Sequence, residues 1–404
     1  MEYQFRNEVQ DVKKAAMGKM FNLAKESLKE GDKLINFASG HPSIEVFQDK
    51  LIKKYINQAI EFAGKEMFQY GTHAGYMPLR QEFKRFVNEN GNVVKEDDDL
   101  IITYGSTEGI SLTVSALVGR GDKVIVEVPS YVNAIKFFQI QGANIIGVPM
   151  QEDGVNIEKL EYVMKQGAKL FYTIPNFSNP SGITMSLEKR KAVYELAAKY
   201  KILVIEDDTY GELRYRNDRL PCIKEFDREG VVAYVSSVSK LIAPAMRIGF
   251  LVANKEFVRR VIPIKAVSTN GVTNIIQYAL WKMFEENNIH LQIKKLCDIY
   301  AQKFFLMEKC MDEYFPKQVK HSSPDGGMFI WTTLPEGSDV QKFCEETAIR
   351  LHIPITPGSG FCVTEPEKCT SMRFNFVKES MTDIAYGIEK VGDLMKRYGG
   401  SKRK

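Results

Sequence analysis

The chain reads as an α/β protein: a mostly parallel, seven-stranded sheet flanked by helices, with a smaller α/β domain beside it. Three observations lead there. Between about residues 99 and 253, short apolar, β-branched runs alternate with helix-length segments, the pattern of strands joined by crossover helices. Those strands are apolar along most of their length, as strands covered on both faces must be. At 404 residues, 44% of them hydrophobic, the chain is also long enough to bury two cores.

Taken in order, residues 8–30 are predicted to be helical, ending at Gly31. The strands fall at Leu100–Thr103, Lys123–Val128, Asn144–Pro149, Leu170–Ile174, Ile202–Glu206, Val231–Val235 and Arg247–Val252. Helical spacing covers Thr107–Leu117, Val132–Gln141, Ile157–Lys165 and Ser186–Tyr200. Residues 255–315 are mainly helical, with an interruption expected at Asn287–Asn288. A second α/β pattern follows, with strands at Met328–Leu334 and Ser371–Val377 and helices at Asp339–Leu351 and Thr382–Arg397. This divides the chain into a large domain over 46–295 and a small one formed by 1–45 with 296–404. No repeat or low-complexity linker interrupts it, and Gly399–Lys404 reads as a frayed polar tail.

Composition excludes several classes. The 55 basic and 51 acidic residues leave a formal charge of +4, which favours neither nucleic acid nor an anionic membrane surface. Six cysteines without a CxxC pair, and five scattered histidines, show no metal-site spacing. The cysteines read as reduced thiols of a cytoplasmic protein. No stretch of 18 apolar residues and no signal-peptide run occurs.

In open α/β sheets, ligands bind beyond the carboxyl ends of the strands, so the polar residues just past each strand belong together. After the first comes Tyr104-Gly105-Ser106-Thr107-Glu108-Gly109, which opens a helix. Free amide N–H groups there suit a phosphate, although an ordinary N-cap reads the same way. After Lys123–Val128 stands Tyr131, a ring able to stack on a planar cofactor or simply to pack. Asn179 lies in a turn rich in Asn, Pro and Gly, where it is either a loop residue or a donor to a phenolate-like oxygen.

Asp207 ends a buried strand, where a carboxylate is costly unless partnered. A protonated pyridine nitrogen is a suitable partner, and Tyr210 can reach the neighbouring ring oxygen; a carboxylate capping the next helix is the plain alternative. Past Val231–Val235 come Ser236-Ser237-Val238-Ser239-Lys240 and then Arg247. The amine can form a Schiff base with an aldehyde, while hydroxyls and guanidinium hold a phosphate. Alone, this is a surface lysine after a strand. Together, the strand ends carry the parts that pyridoxal phosphate requires.

At this point the chain resembles the fold-type I pyridoxal-phosphate enzymes, specifically the class I/II aminotransferases and their 2-aminoadipate and aromatic branch. The carrying motifs are Tyr70-Gly71 with Gly75 and Leu79-Arg80, Asn179-Pro180-Ser181-Gly182, Asp207 with Tyr210, and Ser237-Val238-Ser239-Lys240 with Arg247. Further on come Asp325-Gly326-Gly327-Met328-Phe329-Ile330-Trp331, Pro357-Gly358-Ser359-Gly360-Phe361 and Arg373-Phe374-Asn375-Phe376. The resemblance implies pyridoxal 5′-phosphate bound through Lys240, with Asp207 at the ring nitrogen and Asn179 and Tyr210 at the phenolic oxygen. Tyr131 would stack on the ring. Ser106, Thr107, Ser237, Ser239 and Arg247 would surround the phosphate. Arg373, helped by backbone near Gly40, would bind the substrate carboxylate. Tyr70 would reach the neighbouring subunit's phosphate, implying a homodimer.

The implied reaction is transfer of an amino group from an L-amino acid, 2-aminoadipate, aromatic or one of a broad set, to a 2-oxo acid such as 2-oxoglutarate. A lyase, decarboxylase or racemase on the same scaffold uses the same groups. A regulator built on this fold would carry a DNA-binding domain first, and the segment ahead of Asn36 is too short for one. Two residues depart from the pattern. His41 reads as a satisfied loop histidine that bears on side-chain choice only if it faces the pocket. Glu108 would repel a phosphate unless it points away. For the side chain of a substrate, Lys25 is a conceivable cation and Tyr3, Phe5, Phe21 and Phe37 a conceivable apolar lining, with a solvated face the simpler reading of Lys25.

Overall fold

A computed structural model of the protein describes residues 3–10, 16–286 and 288–400. All seven expected strands of the first sheet are present: β1 (Asp98–Thr103), β2 (Lys123–Val128), β3 (Asn144–Gln151), β5 (Leu170–Thr173), β6 (Leu203–Asp207), β7 (Val232–Ser237) and β8 (Gly249–Asn254). The sheet has an eighth member, β4 (Gly154–Val155), which turns back antiparallel on β3. At two residues it is too short to show a period in the sequence.

The sheet order is β1-β8-β7-β6-β5-β2-β3-β4. Pairs β2·β3, β2·β5, β5·β6 and β6·β7 are parallel, and β8 runs antiparallel to both its neighbours, β1 and β7. Successive side chains of a strand face opposite sides, and the core divides accordingly. Val124, Tyr172, Ile205 and Ala233 join one apolar cluster. Ile125, Phe171, Val204 and Val232 join the other, under the helices Ile157–Met164 and Leu187–Tyr200.

A second sheet of four strands is ordered β11-β12-β10-β9, from β9 (Lys320–His321), β10 (Phe329–Thr333), β11 (Thr356–Pro357) and β12 (Ser371–Asn375). The two-residue strands β9 and β11 escaped the sequence for the same reason as β4. Helices Val340–Leu351 and Met381–Gly400 accompany this sheet. The final helix continues through Gly399 and Gly400, where a frayed tail was expected, and 401–404 lie outside the described residues.

The N-terminal helix appears as Asn7–Gln10 and Ala16–Ser27, with 11–15 outside the described residues. The helical stretch after β8 breaks at 269–273, between Lys255–Ser268 and Asn274–Glu285, which the sequence did not suggest. A third helix, Asn288–Tyr314, begins where the interruption was expected; Asn287 itself lies outside the described residues. Two further helices, Asp49–Ala63 and Met77–Asn88, fill a stretch left unassigned.

One buried ion cluster ties the sheet to its outer layer. Lys224, 1% exposed, donates at 2.8 Å to both Asp98 of β1 and Asp227. Removing the cation strands two buried carboxylates, so Lys224→Met is expected to lose about 3–5 kcal/mol of stability. The check is urea unfolding: the midpoint falls while the slope stays unchanged.

Candidate active site

Topology delivers the polar residues to one edge. The strands β1, β2, β5, β6 and β7 share a direction, so the segments following them emerge together. Because β8 runs the other way, Arg247, just ahead of it, arrives at the same edge. The result is a cavity of about 230 Å³. Its lining includes Gly40, Ser106, Thr107, Tyr131, Asn179, Asp207, Tyr210, Ser237, Ser239, Lys240, Arg247 and Arg373, every residue expected at the cofactor or the substrate carboxylate except Tyr70. Tyr70 is 82% exposed on this chain and stands away from that lining.

Asp207 is the last residue of β6 and is 4% exposed. Its oxygens meet hydroxyls: Tyr172 donates to Oδ2 at 2.8 Å and Thr209 to Oδ1 at 2.7 Å. Burial raises its carboxyl to about 6, against these hydrogen bonds, which favour the charged form. Lys240 follows β7 and donates from Nζ to the Gly40 carbonyl at 2.9 Å. Burial, then the nearby Arg373 and Arg247, lower its amine to about 8.

Arg373, in β12, is 1% exposed. It donates to Asn179 Oδ1 at 2.8 Å and to the Ala38 carbonyl at 3.0 Å, with its guanidinium 4.2 Å from the Phe329 ring centre. Burial lowers it to about 10. Asn179 Nδ2 lies 3.4 Å from the Tyr210 hydroxyl, a long contact, and burial pushes that phenol upward, so it stays protonated.

At the other end of the cavity, Ser237 Oγ and Ser239 Oγ are 2.8 Å apart, and the Ser239 N–H donates to Ser237 Oγ. Helix Gly105–Leu117 starts beside them, with Arg247 Nη2 donating to the Tyr104 carbonyl at 3.2 Å. Gly105 has φ +69°, and a Cβ there would sit 2.9 Å from Arg247 Nη2. The bare backbone lets the guanidinium approach the helix start.

Both departures from the expected pattern are resolved by this geometry. Glu108 points away: it accepts from the Tyr104 N–H and from Thr269 Oγ1 at 2.7 Å each, with Lys265 Nζ at 3.5 Å. His41 is not a plain loop residue, because it lines the cavity and also an adjoining groove of about 630 Å³ walled by Ile44, Phe47, Ile52 and Ile56. Burial, Lys240 and Lys378 lower its imidazole.

The expected N-terminal lining is not found. Tyr3 and Phe5 are exposed, Phe21 is half-buried, Phe37 is buried against Phe374, and Lys25 is exposed; none of the five lines the cavity. The sequence reading gave no role to Tyr172, Thr209 or Phe329. Tyr172 was the most findable, since a tyrosine hydroxyl inside an apolar strand needs a partner.

A doubly wound sheet with a half-buried lysine, hydroxyls and a guanidinium gathered at its carboxyl edge points to a class, the pyridoxal-phosphate-dependent enzymes of fold type I. Within it, the chain belongs to the family described as aminotransferase class I and II, whose model matches residues 32–391. It is 34% identical over 390 residues to aromatic-amino-acid aminotransferase 1 of Thermococcus litoralis, covering 94% of this chain and 93% of that protein. Among solved structures, it resembles a kynurenine aminotransferase of Pyrococcus horikoshii in complex with PMP (TM-score 0.91, 30% identity, 97% of each chain covered). It also resembles an alpha-aminoadipate aminotransferase of Thermus thermophilus complexed with N-(5′-phosphopyridoxyl)-L-leucine (TM-score 0.87, 25% identity, 98% of each chain).

The donor set fits such a cofactor. Arg247, hydroxyls and helix amides stand at one end for an anion, and a buried carboxylate whose side-chain partners among the described residues are hydroxyls stands at the other. Because Lys240 is lowered to about 8, its reaction with pyridoxal phosphate is expected to accelerate as pH rises and to level off above that value. An ordinary lysine would keep accelerating to about pH 10. Stopped-flow absorbance of the cofactor-free protein checks this, and Arg373→Gln, which removes a neighbouring cation, is expected to move the midpoint upward.

Proposed function

We propose that the protein transfers the amino group of an L-amino acid to a 2-oxo acid such as 2-oxoglutarate, in a ping-pong cycle on pyridoxal 5′-phosphate. The observation carrying this reading is the meeting of half-buried Lys240 with buried Asp207 and Arg373 in one cavity. When bound, the cofactor supplies an aldehyde carbon that condenses with amines and a cationic ring that takes up the electron pair released at the substrate α-carbon.

The chain's own residues do the rest. Arg373 binds the substrate carboxylate as a bidentate pair, oriented by Asn179 and the Ala38 carbonyl. Lys240, with its amine brought toward neutral pH by burial and two guanidinium groups, would be the base that holds the proton released at the substrate α-carbon. Asp207, kept as an acceptor by two hydroxyls, would stabilise a positive charge on the ring nitrogen. Tyr210, held protonated by burial, would donate to the ring oxygen together with Asn179. Ser106, Thr107, Ser237, Ser239 and Arg247 would hold the phosphate, and Tyr131 would stack on the ring.

Side-chain choice falls to the groove beyond His41. Its apolar walls suit aromatic and other large uncharged side chains ahead of 2-aminoadipate, in line with the aromatic and kynurenine aminotransferases to which the chain is similar. Asp49 and Lys53 also line it and leave room for a broad set. The assembly is a homodimer in which Tyr70 serves the partner's phosphate, a role that its exposure on this chain suits.

Single L-amino acids, added without an oxo acid, are expected to convert the yellow cofactor band to the near-ultraviolet band of the aminated form, fastest for aromatic donors. A persisting yellow band with release of ammonia or carbon dioxide would move the assignment to a lyase or decarboxylase. Lys240→Ala is expected to abolish the conversion, and Arg373→Gln to raise KM about 100-fold. Mixing Lys240→Ala with Tyr70→Ala subunits is expected to regain activity, because a hybrid dimer has one site free of both changes. Failure to regain it would refute the shared site.

A further inference from the structure

Thr209 has so far appeared only as a neighbour of Asp207, yet its hydroxyl lies between the two ends of the cavity. Thr209 Oγ1 is 2.7 Å from Asp207 Oδ1 and 3.0 Å from Ser106 Oγ. Asp207 ends β6 while Ser106 follows β1, and two strands separate those elements in the sheet. We infer that Thr209 is a positioning residue that couples Asp207 to the anion cradle, so that the ring-nitrogen and phosphate ends of pyridoxal phosphate bind cooperatively. The inference rests on the assignment of Asp207 and Ser106 to the cofactor proposed above.

Counting protons shows how the coupling works. A hydroxyl carries one proton and two lone pairs, so Thr209 cannot donate to both neighbours at once. Ionised Asp207 is the stronger acceptor, and a charge-assisted bond is about twice as strong as a neutral one. Asp207 therefore holds the Thr209 proton, and Ser106 Oγ, which stands as an acceptor to the same hydroxyl, goes without it.

An anion in the cradle competes for the Ser106 proton. Ser106 Oγ then becomes a stronger acceptor and draws the Thr209 proton from Asp207, because hydrogen bonds in a chain polarise one another. Asp207 gains correspondingly more from a cation. The converse also holds: a cation on Asp207 lessens its demand on Thr209, whose proton turns to Ser106 and strengthens the Ser106 bond to the anion, as linkage requires. Tyr172 supplies an internal contrast. It donates to the other oxygen of Asp207 at 2.8 Å and does not touch Ser106.

The test uses 4-deoxypyridoxine 5′-phosphate, which lacks the aldehyde and so cannot be captured by Lys240. Its dissociation constant is measured on the full chain, stripped of cofactor, for Ser106→Ala, Asp207→Asn and the double variant. Each single change should weaken binding, and the double should weaken it less than the product of the two, by on the order of fivefold. In a Thr209→Val background that coupling factor should fall to about one, while Thr209→Ser and Tyr172→Phe should retain it. Thr209→Ala replaces the valine variant if that one fails to fold.

Coupling that survives the loss of the Thr209 hydroxyl, or that is absent from the parent protein, overturns the inference while leaving the cofactor site standing. If neither single change weakens binding, the cofactor assignment itself falls and the coupling with it.

Discussion

A carboxylate buried at the end of β6, with hydroxyls rather than a cation against it, is the constraint around which this cavity is arranged. Desolvation raises the free energy of ionised Asp207, and the Tyr172 and Thr209 hydroxyls offset only part of that cost. Across the cavity the imbalance is reversed. Lys240, Arg247 and Arg373 line the same space, and burial lowers both the Lys240 amine and the Arg373 guanidinium. Such a cavity is suited to a ligand that is cationic where the carboxylate stands and anionic where the guanidinium groups stand.

The direction of β8 matters as much as the parallel strands around it. A parallel β8 would place Arg247 at the opposite edge of the sheet. Its antiparallel course sets Gly249 opposite both Thr103 and Ser237, which brings Arg247, Ser106 and Ser239 into one lining. The approach also depends on glycine. At Gly105 a side chain would meet Arg247, and at Gly249 it would meet the backbone of Gly105 and Ser236 at 2.6 Å. The cradle is thus a product of strand direction and of two missing Cβ atoms.

Glu108 shows why charge near a site cannot be read without its neighbours. In sequence it stands beside the turn expected to hold a phosphate, as an apparent repulsion. In the fold it turns onto the Tyr104 amide, Thr269 and Lys265, so its charge is engaged away from the cradle. Lys265 and Thr269 lie more than 150 residues further along the chain, a distance no local pattern spans.

The sequence by itself determined the seven main strands, because buried strands must be continuously apolar and that signal is local. It also put Lys240, Asp207, Asn179 and Arg373 forward together, since they stand just past strands or in motifs whose order is distinctive, and the fold gathers them in one cavity. Only the tertiary structure decided their contacts. That Tyr172 and Thr209 share Asp207, that His41 faces the cavity, and that the N-terminal aromatics do not line it, all depend on side-chain directions and long-range packing. Strands β4, β9 and β11 were illegible for a simpler reason: two residues show no period, and the strand exists only because a longer neighbour offers its edge.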